Sequence, residues 1–196
     1  MPDFKKERKE KSEVDYFAAF MTLWLWYNSR YKSHYSEIIW IIDRMFLDKI
    51  KTDFSWRNQT YSNFKTLIES EDRKGIEFKT NLELLIISLT RSNLNMTKTE
   101  ILYKKISFDK ALIDYTNYAR ESWYVNLIKS NSRSKKRNKI RLNDIELIAN
   151  KEQIFAWLME FIYQIRCLLF HWQMEPIDDN KNVVKYAYFL LYQLME

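Results

Sequence analysis

Residues 151–171, KEQIFAWLMEFIYQIRCLLFH, decide the fold. Ile154, Leu158, Phe161, Ile162, Ile165 and Leu169 recur every three or four positions, the spacing that puts side chains on one face of an α-helix. No glycine or proline interrupts the run before Pro176. The pattern therefore predicts a buried helix from about Lys151 to Phe170. Pro176 and the acidic turn Asp178-Asp179-Asn180 end it and offer an N-cap to a closing helix. That last helix presents Val184, Ala187, Tyr188, Leu191 and Met195 in register.

Upstream, the same period recurs. Residues 1–11 are polar and read as a tail. From Ser12 to about Tyr35, Phe17, Phe20, Met21, Trp24 and Tyr31 predict a long first helix with Asp15 near its start. Residues 37–50 predict a second, with Ile38, Ile41, Ile42 and Met45 inward. A polar, aromatic loop from Lys51 to Asn63 follows, then a short helix near 62–70 and a charged turn, EDRKG, around Gly75. Leu82, Leu85, Ile86 and Leu89 place another buried helix at 78–91. Two further helices are expected at 98–105 and 108–129, then a basic loop at about 130–142 and a short helix, capped by Asn143 or Asp144, through Ile148. No linker divides the chain, so residues 12–196 read as one all-α domain with additional helices in its middle.

Composition agrees and removes whole classes of chemistry. The 46% apolar and 16% aromatic content is that of a packed globule. One glycine and two prolines leave too few turn residues for a hairpin-rich fold. With Gly75 alone, no Walker A loop, GxGxxG turn or GxSxG elbow can be written. Two histidines and a lone cysteine, Cys167, exclude a multi-histidine metal site, an intrachain disulfide and a cysteine zinc cluster. No metal and no organic cofactor is expected. The charged N-terminus is unlike a secretory signal, and the longest apolar stretch, Tyr16 to Tyr27, is too short to span a bilayer. A cytoplasmic protein without a membrane partner is the expectation.

The formal charge is +6, and the excess is concentrated. Residues 133–141, RSKKRNKIR, carry Arg133, Lys135, Lys136, Arg137, Lys139 and Arg141 with no acid among them. Such a block either binds a phosphate backbone by charge or is a solvated loop.

Arg166 interrupts the apolar helix, and His171 follows five residues later, just before the predicted stop. On an ideal helix they lie roughly 140° apart and share no face. They converge if the helix unwinds near His171 or if a second chain supplies the complement. Otherwise Arg166 is a residue that caps carbonyls or reaches to water. Asn28, one turn after Trp24, needs a partner if buried, and either orients Arg166 or His171 or caps a neighbouring helix. Trp172 either stacks on a base or joins the core. His34 has basic and aromatic neighbours and reads as surface.

The segment IYQIRCLLFHWQMEP, its polar turn and NVVKYAYFLLYQLM resemble the HEPN superfamily (higher eukaryotes and prokaryotes nucleotide-binding) of all-helical domains. Its ribonucleases carry an arginine, a spacer of four to six residues and a histidine near the end of a core helix. Arg166 and His171 match with a spacer of four, and YFAAFMTLWLWYNSRY resembles an aromatic first helix leading into an asparagine, here Asn28. The likeness covers about 12–35 and 151–196. Cys167 stands where many active members have a polar residue. Gln173 stands where toxins paired with a nucleotidyltransferase antitoxin often have tyrosine.

The resemblance implies a HEPN-like helical bundle that cleaves RNA without metal, as a toxin or antiviral-defence effector, with an antitoxin or regulatory protein as a further partner. The ribose 2′-OH attacks the adjacent phosphate and yields a 2′,3′-cyclic phosphate. The nucleophile is internal, so the protein supplies proton transfer, suited to His171, and charge stabilisation, suited to Arg166. One histidine cannot conveniently be base and acid at once, and a two-fold homodimer would bring two. Asn28, Cys167 and Trp172 are the candidate supports of that site. The alternative is a non-catalytic HEPN module that binds RNA or protein.

Overall fold

The computed structural model describes residues 15–35, 43–91, 139–143, 146–148, 150–172, 174 and 177–196. Among them are six helices and one pair of short strands: α1 Tyr16–His34, α2 Asp43–Thr52, α3 Gln59–Glu69, α4 Arg73–Arg91, β1 Lys139–Arg141, β2 Glu146–Ile148, α5 Lys151–Phe170 and α6 Asp178–Met195. The fold is all-α. The expected helices at 98–105 and 108–129, the N-terminal tail and Arg133, Lys135, Lys136 and Arg137 lie outside the described residues.

Helix α1 begins where Asp15 accepts hydrogen bonds from the backbone N–H groups of Phe17 (3.0 Å) and Ala18 (3.3 Å), an N-cap of the ordinary kind. It buries Phe20, Trp24, Tyr27 and Tyr31, one residue per turn. Helix α5 is capped by Asn150, whose side chain accepts from the Gln153 N–H at 3.1 Å. Its expected stripe is buried from Ile154 to Ile165, with Leu169 partly covered. Phe155 packs between Tyr61 and Phe64, with ring centres 5.2 and 5.4 Å away. Helix α6 lies against α1, α3 and α4, while α5 lies against α1, α2 and α3, so α1 and α3 touch both. Helix α5 is also apolar enough to cross a bilayer, yet two thirds of it is buried inside the fold, as befits a core helix.

Several boundaries differ from those the pattern predicts. The loop after α2 is shorter than 51–63, because buried Asn58 starts α3 at Gln59: its side-chain oxygen accepts from the Tyr61 N–H at 3.2 Å. Gly75 is not a turn but sits inside the first turn of α4, where its N–H meets the Asp72 carboxylate at 2.8 Å. A Cβ there would stand 2.3 Å from the Ser70 carbonyl oxygen, so this position has room only for glycine. Met45 points outward, and Phe46, Leu47 and Ile50 are the buried face of α2. Ile177, not an acidic residue, is the N-cap of α6 and makes no side-chain capping bond; Asp178 and Asp179 fall in the first turn, where they complement the helix dipole.

The predicted short helix through Ile148, and the loop reaching residue 142, are replaced in part by an antiparallel pair. Lys139 faces Ile148, Ile140 faces Leu147 and Arg141 faces Glu146. The reason is alternation: Ile140 and Leu142 turn to the core on either side of exposed Arg141, and Leu147, paired with Ile140, is buried with them. The Asn143 N–H reaches the Glu83 carboxylate of α4 at 3.3 Å and ties the pair to the bundle.

Candidate functional site

Arg166 leaves the apolar face of α5 where α1 and α2 meet it. Its side chain is only 17% exposed and its Nη2 donates to Asp43 Oδ2 at 3.0 Å. The other oxygen of Asp43 accepts from Asn28 Nδ2 at 3.1 Å and faces Lys32 Nζ at 3.1 Å. Asn28 and Lys32 are one turn apart on α1, so one carboxylate at the start of α2 gathers donors from α1 and α5. Asn28 is therefore linked to Arg166 through Asp43, by bonds to its two carboxylate oxygens. Burial pushes the Asp43 carboxyl upward, but the hydrogen bonds from Asn28 and Lys32 and the charges of Lys32 and Arg166 outweigh it and hold it below the usual range.

The remaining arm of the guanidinium has weaker company. Arg166 Nη1 approaches the buried thiol of Cys167 at 3.9 Å, and the buried Nε has no hydrogen-bond partner. Cys167 is thus a covered wall beside the arginine. The guanidinium carbon lies 4.8 Å from the centre of the Phe170 ring, a cation–π contact.

Helix α5 stops at Phe170. His171 is its C-cap, with φ −92° and ψ 10°, and its N–H bonds the Cys167 carbonyl at 3.0 Å. Trp172 then turns left-handed at φ 54°. The helix unwinds at His171, the condition under which the two groups can approach. His171 is exposed and stands edge-on to Phe170, ring centres 5.4 Å apart; the 4.8 Å arginine contact on the same ring keeps guanidinium and imidazole within about 10 Å. No hydrogen bond joins them directly among the described residues. Trp172 is 94% exposed, so it is not core.

Other candidates are separate. Arg141 is exposed on β1, and no contact links it to Arg166 among the described residues; of Lys139 the backbone alone is described. His34, in the last turn of α1, is exposed and stands edge-on to Tyr35. No group of three or more histidine, cysteine, aspartate or glutamate side chains is placed to hold a metal among the described residues.

Three members of the cluster, Asp43, Lys32 and Phe170, are absent from the sequence candidates. Asp43 had a signal: it is the polar residue that ends the apolar run IIWII at 38–42. Lys32 stands four residues after Asn28, the spacing of a shared helical face. Compared with family models, curated proteins and solved structures, the chain matches none.

Proposed function

We infer that the chain is a metal-independent endoribonuclease whose site is built from Arg166 and His171, completed by a second copy of the chain. The observation that carries this reading is the pairing of an oriented guanidinium with an exposed imidazole across Phe170. Asp43 fixes one arm of Arg166, and Nη1, with only a long thiol contact, is left to meet a phosphate oxygen. His171, at an unwound helix end, is the proton-transfer group. Exposed Phe170, Trp172 and Ile177 cluster near the turn between α5 and α6 in sequence and supply an apolar surface for two-fold pairing. The HEPN resemblance supports the same chemistry and extends it to a toxin or antiviral-defence effector with a neutralising protein partner.

The test is incubation of the purified chain with tRNA and mixed RNA in EDTA, with mapping of the ends. Cleavage leaving 2′,3′-cyclic phosphates is expected. Arg166→Ala and His171→Ala should each lower it about a hundredfold or more with helix content retained. Cleavage unchanged in either variant would refute the assignment.

A second reading is favoured by Asp43 itself, which already neutralises Arg166. In that case the chain is a non-catalytic module that binds RNA or protein. It would retain RNA with a steep salt dependence and leave it intact.

A further inference from the structure

A concave site lies beside α1, lined by none of the residues around Arg166 described above. It is an open cleft of ≈ 680 Å³ between the C-terminal half of α1, the link joining α2 to α3, the first residues of α3 and the end of α6. This volume is within the range of small-molecule sites. Arg30, His34 and Arg57 line it, and no aspartate or glutamate does so among the described residues. Two helix C-termini end nearby, and one carbonyl of each is hydrogen-bonded. Arg30 Nη1 donates to the Met195 carbonyl at 3.3 Å, and the Tyr35 N–H closes on the Tyr31 carbonyl at 3.0 Å. The charged side chains that line the cleft among the described residues are therefore basic.

Two aromatic features give the cleft a chemical preference. Trp56 is 81% exposed on its rim, and Arg57 lies over its ring at 5.6 Å, so a flat indole and a cation stand together without a packing role. On the inner side, Tyr27 is 2% exposed, and it forms part of the aromatic inner wall with Tyr31.

We propose that this cleft binds a phosphate monoester whose organic part carries a flat ring, with the ring on Trp56 and the phosphate between Arg57 and Arg30. The guanidiniums offer the planar donor fork that phosphate oxygens match, and the indole offers a stacking face. The proposal is independent of the Arg166–His171 reading, which concerns other side chains on α5.

Titration calorimetry on the full chain tests it with AMP, adenosine, inorganic phosphate and a 5′-phosphorylated trinucleotide. AMP is expected to bind with one site per chain, and adenosine and phosphate at least about tenfold more weakly, because each lacks one half of the recognition. Trp56→Ala and Arg57→Gln, both at exposed positions, should each weaken AMP about tenfold. A trinucleotide that binds more tightly than AMP assigns the ligand to a strand end; equal or weaker binding assigns it to a free small molecule. Absence of saturable AMP binding at millimolar concentration overturns the proposal, and so does binding indifferent to Trp56→Ala and Arg57→Gln. Arg166→Ala should bind AMP as wild type does; loss of binding in that variant would place the ligand at the other site and overturn the proposal equally.

Discussion

Replacing Asp43 by asparagine tests the junction on which the candidate site rests. The substitution keeps the shape and one acceptor oxygen but removes the charge that faces Lys32 and Arg166. The Lys32 contact is half exposed, 48% on the lysine side, so it is worth only a few tenths of a kcal/mol to about 1 kcal/mol. The Arg166 contact is better covered, at 17% and 23% exposure, and a hydrogen bond between charged groups in such a setting contributes about 1.5–3 kcal/mol. The amide nitrogen that replaces one oxygen also points a donor at a donor. About 2 kcal/mol of lost stability follows.

Urea unfolding at neutral pH should show that loss as a lower midpoint with an unchanged slope. The pH dependence is a stricter check. Asp43 is held below its ordinary value of 3.8 in the folded chain. On acidification the unfolded chain therefore takes up this proton first. The carboxylate's contribution is fully present above the unfolded value and is lost as pH falls through the lower folded one. The stability gap between the parent and Asp43→Asn should therefore be constant near neutrality and shrink as pH drops below about 4. A double cycle with Arg166→Gln should show a coupling of about 1 kcal/mol or more. A gap below about half a kcal/mol, or one that does not narrow in acid, would refute the claim that Asp43 joins α1, α2 and α5.

Two other perturbations have defined signs. Glu160 on α5 receives Arg44 Nη1 and Lys51 Nζ of α2, each at 2.6 Å, and Lys51 is almost fully buried; Glu160→Ala takes away its buried carboxylate and should cost about 3 kcal/mol in urea unfolding. Burial raises the Glu160 carboxyl, but Arg44 and Lys51 outweigh that and hold it below its ordinary value, so this contribution too is lost on acidification. Gly75→Ala should destabilise by about 1–3 kcal/mol in thermal unfolding, despite a helix-propensity gain of about 1, because the new methyl meets the Ser70 carbonyl oxygen.

Helices whose apolar residues repeat without interruption were legible from the pattern alone. The span Lys151–Phe170 is one, because its apolar stripe runs unbroken to Leu169. Boundaries governed by a single buried polar side chain were not. Asn58 starts α3 early since it also donates to the Ile50 and Asp53 carbonyls at 2.9 and 2.7 Å, partners that only the folded chain brings together. The strand pair at 139–148 was hidden by its charge: six basic residues over 133–141 read as a loop, while the alternation that marks a strand lies in the few residues around Leu142. Arg166 and His171 were found as residue types at a spacing. Asp43 could not be found that way, because it lies 123 positions from Arg166 along the chain.

The polar groups of α5 explain why that arginine has a fixed direction at all. Within the mostly apolar α5, Glu160 and Arg166 both turn toward α2, and α2 answers each with the opposite charge: Arg44 and Lys51 for Glu160, Asp43 for Arg166. Apolar contact alone tolerates small slips between two helices, since one aliphatic side chain replaces another at little cost. Charges do not. A slip that took Arg166 away from Asp43 would also move Glu160 off Arg44 and Lys51, leaving several half-buried charges without counterions at once. The two ion clusters therefore set the register between α2 and α5, and Asp43 holds in place a guanidinium that meets Phe170 one turn along its own helix, next to the histidine. The same pairing that aligns the core thus aims the candidate site.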